Sequence, residues 1–89
     1  MDILRLPTDL GAALKAHRQQ QGLTAVDVAT RAGRSRDILY RLERGEDVTV
    51  SALMDILRAQ GLGLALQPAG LPTLDEMQRR FGADADDAA

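Results

Sequence analysis

Apolar residues recur every three or four positions through the first two-thirds of the chain, and then give way to strict alternation. The first helical stretch covers residues 8–21. Leu10, Ala13, Leu14 and His17 or Arg18 form its apolar stripe, Thr8 or Asp9 can cap it after Pro7, and Gly22 stops it. Thr24 is a good N-cap for a second helix, with Asp27 three residues on as a short-armed capping box. Val28, Ala29 and Ala32 are small enough for close helix packing. Gly33 ends this helix in the left-handed conformation that a side chain resists. Ser35 opens a third helix over residues 35–44, with Leu39 and Leu42 on its inward edge and Gly45 as its stop. Thr49 caps a fourth over residues 50–59, where Leu53, Met54, Ile56 and Leu57 give a broad apolar face. All are short, so packing rather than propensity must hold them.

Beyond Gly61 the period changes to two. Leu62, Leu64 and Leu66 alternate with small residues, which predicts a strand over residues 62–67. A lone strand leaves its backbone groups without partners. The simplest partner is the same strand of a second copy; the alternative is an irregular apolar tail folded over the helices. Residues 71–81 predict a last short helix, with Thr73 as cap, Glu76 three later, and Leu74, Met77 and Phe81 on one face. Residues 82–89 are polar or small and read as disordered. The expected fold is all-α: four to five short helices, with a C-terminal strand that pairs across a dimer. It divides into an N-terminal arm (1–7), a helical domain with its strand (8–68) and an acidic tail (69–89).

Composition narrows the chemistry. A chain of 89 residues holds one domain. A domain near this size buries only roughly 60% of its unfolded surface, so dimerisation is a natural source of stability. There is no cysteine, hence neither a disulfide framework nor a thiolate zinc site. The lone histidine, His17, cannot hold a metal alone and reads as a boundary residue. Asp84, Asp86 and Asp87 lack the glycine and distal glutamate of a calcium loop. No glycine-rich phosphate loop follows a strand. No enzyme activity and no cofactor are expected. No apolar run reaches membrane-spanning length, and the N-terminus lacks signal-peptide character. No membrane association is expected, and a cytoplasmic location is.

The net charge of −2 counts mildly against nucleic acid, but its distribution counts for it. Residues 31–44 hold five arginines against Asp37 and Glu43, a local +3; residues 72–89 hold five acids against two arginines, a local −3. Contact with DNA depends on the patch presented to phosphates, not on the whole-chain sum. In the third helix, Arg36 and Arg41 can each fork onto a guanine edge. Asp37 can accept from cytosine, and Ile38, outside the Leu39/Leu42 stripe, can meet a thymine methyl. Ser35 and Thr24 sit at helix N-termini, where exposed N–H groups favour phosphate. Tyr40 can bond to the sugar-phosphate backbone. The plainer alternative is that all of these are solvated helix residues. Arg18 and Glu43 fall where the first and third helices meet the body, and a two-point ion pair between them would lock those helices together; the alternative has both facing water.

The run GLTAVDVATRAGRSRDILYRLERG resembles the helix-turn-helix of the Xre/Cro repressor family, and the wider likeness covers about residues 9–67. A fourth helix followed directly by a short apolar strand is similar to HipB-type antitoxins, the DNA-binding partners of HipA-type serine/threonine kinase toxins. The resemblance implies a lambda-repressor-like bundle, Ser35, Arg36, Asp37 and Arg41 at the DNA surface, Thr24 at a phosphate, and Arg18 paired with Glu43. Three departures stand out. The glutamine that often follows the threonine at the start of helix two is Ala25 here. The usually small or apolar residue after the turn glycine is Arg34, expected to point out toward phosphate. Glu46 and Asp47 make the following loop acidic.

The expected function is a dimeric repressor of a palindromic double-stranded operator that also binds a HipA-like kinase toxin, with Leu74, Met77 and Phe81 as the tail contacts. Two alternatives stay open: an Xre-type regulator without a toxin, and a protein-interaction module that does not bind DNA.

Overall fold

The computed structural model describes residues 3–71 and 73–81; for residues 76 and 79–81 it describes the backbone alone. The chain folds into α1 (Pro7–Gln20), α2 (Ala25–Ala32), α3 (Arg36–Glu43), α4 (Val50–Ala59) and α5 (Leu74–Phe81). There is no strand among the described residues, so the all-α reading holds. The readings made for Glu76 as a capping partner, for Phe81 on the apolar face and for residues 82–89 fall outside the described groups.

Local chemistry sets three of the four helix starts in the body. Thr24 Oγ1 accepts from the Asp27 amide at 3.1 Å while Asp27 Oδ2 accepts from the Thr24 amide at 3.0 Å, a complete capping box. Ser35 Oγ accepts from the Ile38 amide at 3.2 Å, and Thr49 Oγ1 from the Ala52 amide at 3.1 Å. The start of α1 differs from expectation. Neither Thr8 nor Asp9 caps it: Pro7 is the first helical residue and Leu6 precedes it with no side-chain cap. Proline at the first helical position has no N–H to leave unpaired and presets the helical φ, which favours the first turn without a side-chain cap.

The core lies where α2 packs on α4, α1 on α3, and α2 on α3. Val28, Leu39 and Ile56 are fully buried at its centre, ringed by Leu14, Leu42 and Leu57. Ala25, Ala29 and Ala52 are buried too, small enough to let α2 and α4 approach closely. Gly11 plays the same part between α1 and α3: a Cβ there would lie 2.5 Å from the carbonyl oxygens of Leu42 and Glu43. This close approach brings α1 against the C-terminal end of α3.

After α4 the chain leaves the body. Leu62 still packs on the core, but Leu64 is 54% exposed and Leu66 98%. The segment therefore does not fold back as an apolar cover over the helices. Leu74 and Met77 of α5 are exposed as well.

Candidate nucleic-acid interface

α2 and α3 are joined by a turn of three residues, Gly33 to Ser35. Gly33 has φ +67°, the left-handed region that glycine enters without a Cβ clash. Its amide donates to the Thr30 carbonyl at 3.2 Å and the Arg34 amide to the Ala29 carbonyl at 3.0 Å, the paired bonds of a Schellman stop. One residue later Ser35 caps α3. Two short helices thus meet at a tight turn whose Gly33 and Arg34 amides bond back to α2 while Ser35 caps α3.

α3 has an anchored side and an open side. Leu39, Leu42 and Glu43 are buried. Arg18 Nε donates to Glu43 Oε2 at 2.7 Å and Nη2 to Oε1 at 3.1 Å, while Nη1 donates to the Leu23 carbonyl at 3.2 Å. The two side chains are only 11% and 4% exposed. The Glu43 carboxylate, first by its hydrogen bond and then by its charge, raises the Arg18 guanidinium above its already high ordinary value. The expected lock between first and third helices is therefore present, and it holds α3 by the edge opposite to its solvent face.

That solvent face carries Arg36, Asp37, Tyr40 and Arg44, all exposed, with Arg41 half-buried beside them. Among the described residues Arg36 takes part in no ion pair, whereas Arg41 lies 4.0 Å from Glu46 and Arg44 bonds Glu46 directly. That hydrogen bond, with the charges of Arg44 and Arg41, holds the Glu46 carboxyl below the ordinary glutamate range. Tyr40 sits toward α1, where it borders a shallow hollow of about 310 Å³ above the Arg18–Glu43 pair. Ser35 and Thr24 are exposed, and the hydroxyl oxygen of each accepts the cap bond at its helix start.

Two placements differ from the sequence reading. Ile38 is half-buried and packs on the core, because its position on α3 turns it toward α4. There it borders a hollow of about 420 Å³ with Val48 and Ala52, so only part of its side chain is offered outward. Arg34 does not project into solvent. Its Nε and Nη2 donate to Asp55 Oδ2 at 3.0 and 2.8 Å, and Nη2 lies 3.4 Å from Ser51 Oγ, so the guanidinium is laid along α4. The sequence reading had no place for Asp55 or Gly11; each acts on a partner far along the chain and leaves no short-range signal. Arg44 was counted in the basic segment, but its bond to Glu46 was not foreseen.

A family model for the helix-turn-helix domain matches residues 9–70. The chain is 35% identical over 69 residues to the endothelial differentiation-related factor 1 homolog of Danio rerio, which covers 76% of this chain and 47% of that protein. It thus spans about half the length of the curated relative it matches. Among solved structures it is similar to HipB in a HipB–O4 20mer complex, with a TM-score of 0.73 and 27% identity over 79% of this chain and 100% of that one. A chain of a HipA–HipB–O2–O3 complex matches with the same TM-score at 25% identity, again over 79% of this chain and 100% of that one. The Schellman stop at Gly33, the capped α3 beyond it and the coverage of the family model and the solved structures agree: this chain belongs to the helix-turn-helix domain family, as an Xre-type member with a HipB-like fold.

Proposed function

We propose that the protein is a homodimeric repressor that reads a palindromic double-stranded operator and represses its own operon, working in the cytoplasm. The observation that carries this reading is the two-sidedness of α3: Leu39, Leu42 and Glu43 anchor one side while Arg36, Asp37 and Arg41 line the other. A rod held rigidly by one edge and charged along the other suits the major groove. Arg36 is the principal base reader, since no acidic side chain among the described residues competes for it as an ion-pair partner. Asp37, Arg41, Ser35 and the exposed part of Ile38 complete the reading edge, and Thr24 and Tyr40 bond phosphates on either side. Dimerisation comes from residues 62–67, with Leu62, Leu64 and Leu66 on the paired segment. It places two recognition helices about one helical turn of DNA apart.

The protein is also read as an antitoxin that holds a HipA-like serine/threonine kinase. The support is its likeness to a chain of the HipA–HipB–O2–O3 complex. The exposed Leu74 and Met77 of α5, together with Phe81, supply the contact. A second reading, a regulator without a toxin, is favoured by the higher identity to the Danio rerio relative, 35% against 25–27%.

The deciding experiment is a mobility shift of the full chain on DNA taken from upstream of its own reading frame, at two salt concentrations. Retardation that Arg36→Ala reduces by about tenfold or more on that DNA, and far less on scrambled duplex, is the expected result. Equal retardation of both duplexes, unmoved by Arg36→Ala, would leave only a protein-interaction module. Co-purification with a kinase encoded next to it, lost in Leu74→Ser/Met77→Ser, separates the antitoxin from the toxin-free regulator.

A further inference from the structure

The corner between α2 and α3 is clamped to α4, and we propose that Arg34 is a positioning residue: it sets the angle of the recognition helix against the body rather than touching a phosphate. This rests on the reading of α3 as the DNA-reading element. Arg34 lies between the left-handed Gly33 and the cap residue Ser35, so whatever holds its side chain holds the start of α3. What holds it is α4. Asp55 Oδ2 takes two of its N–H groups, and Ser51, one helical turn earlier, lies within 3.4 Å of Nη2. The planar guanidinium presents its donors in a fixed fork, so two acceptors along one helix fix its direction as well as its distance.

Three further observations favour a brace. Among the described residues, no side chain of α3 hydrogen-bonds to α4, so nothing polar but this clamp joins the front of the recognition helix to α4. On the α2 side, Ala25 is a buried methyl group that cannot reach the corner with a hydrogen bond. Asp55 gives its other oxygen, Oδ1, to Arg58, so the carboxylate is held from two sides. A pair with side chains a quarter to a third exposed adds little to global stability. Its effect is on the orientation of α3 and, through it, on which base edges Arg36 meets.

The test uses the full chain and the variants Arg34→Gln, Asp55→Asn and the two combined. Two quantities are read: the affinity ratio between upstream and scrambled duplex at two salt concentrations, and amide hydrogen exchange without DNA. A brace predicts that each single variant lowers the ratio by about three- to tenfold and leaves the salt slope unchanged. The double is no worse than the poorer single, since the same clamp is broken. The amides of Gly33, Arg34 and Ile38 exchange faster by a similar factor while that of Leu14 does not, and the urea midpoint hardly moves. The proposal is overturned if Asp55→Asn tightens binding while Arg34→Gln makes the salt slope shallower, for then Arg34 is a phosphate contact that Asp55 restrains. Unchanged exchange in both single variants overturns it too. Failure of the wild-type chain to prefer its upstream DNA counts instead against the repressor reading, and the exchange data still decide the brace.

Discussion

Arg18 and Glu43, 25 residues apart, meet through two hydrogen bonds of 2.7 and 3.1 Å at the seam between α1 and α3. The fork closes one end of the recognition helix onto the body. Glu43 has almost no access to water, so its carboxylate depends on Arg18 for its charge balance.

Removing one member is expected to be worse than removing both. Arg18→Met strands a buried carboxylate and is expected to lower stability by about 3 kcal/mol in urea unfolding at fixed protein concentration. Arg18→Met combined with Glu43→Leu should recover most of that loss, because apolar groups of similar bulk fill the seam without a charge to satisfy. A double variant no more stable than Arg18→Met would mean that the seam cannot close without the ions.

Gly11 faces the same seam from α1. Its replacement by alanine would push a methyl into the Leu42 and Glu43 carbonyls, backbone atoms that cannot rotate away. Gly11→Ala is expected to lower stability by about 2 kcal/mol despite alanine's better helix propensity. Because α3 must shift, DNA affinity should fall at temperatures where the variant is still fully folded. A thermal melt alongside a binding titration separates the two effects.

The contrast between these residues and the caps shows what the sequence made legible. Thr24, Ser35 and Thr49 each bond an amide three residues ahead, and Gly33 shapes its own turn, so the short-range pattern alone located α2, α3 and α4. The start of α1 was misplaced because Thr8 looked like a cap. In the fold its backbone and methyl crowd Gly45 instead, at 2.8–2.9 Å from where a Cβ of that residue would be. Gly11 carries no signal of its own in the sequence, and Arg34 reads there as pointing out toward phosphate. Their partners lie more than 20 residues away, and nothing in local spacing marks such a meeting. The Arg18–Glu43 pair was expected only because helical periodicity and family resemblance pointed to the same two positions.

The capping box carries a pH signature. The Thr24 backbone and hydroxyl hydrogen bonds hold the Asp27 carboxyl below its ordinary value of 3.8. A carboxyl that is more acidic folded than unfolded stabilises the fold above the unfolded value, and that contribution disappears as the pH falls through the folded one. The urea midpoint of the wild type should therefore drop below about pH 4, and Asp27→Asn should show a smaller drop over the same range. A wild-type acid limb that Asp27→Asn leaves unaltered would assign the acid sensitivity to other carboxylates.

Glu46 is the acidic residue that most directly offsets the charge of α3, since it bonds Arg44 and lies near Arg41. Its neutralisation should release Arg44 toward phosphate and Arg41 toward the base edges. Glu46→Gln is expected to tighten DNA binding by about three- to tenfold at low salt, and to steepen the dependence of affinity on salt by roughly one counterion. Exposed as it is, the residue should leave the thermal midpoint nearly unchanged. Weaker binding on removal of its charge would instead show that Glu46 holds the arginines in a binding-ready pose.

The segment after α4 decides whether the recognition helices act in pairs. Leu62 is half-seated on the core, so the chain leaves the body at a fixed point, and Leu64 and Leu66 then extend outward with their apolar surface uncovered. Two such segments side by side would cover each other's leucines and satisfy each other's backbone groups. Leu64→Pro deletes a backbone donor in mid-segment and adds a ring where the partner must approach. It is expected to weaken self-association at least about tenfold in sedimentation equilibrium, and to lower operator affinity more than affinity for an isolated half-site. Leu64→Val, which keeps the donor and a β-favouring side chain, should dimerise like the wild type. If Leu64→Pro sediments as tightly as Leu64→Val, the two copies meet elsewhere, and the spacing of their recognition helices must be set by another surface.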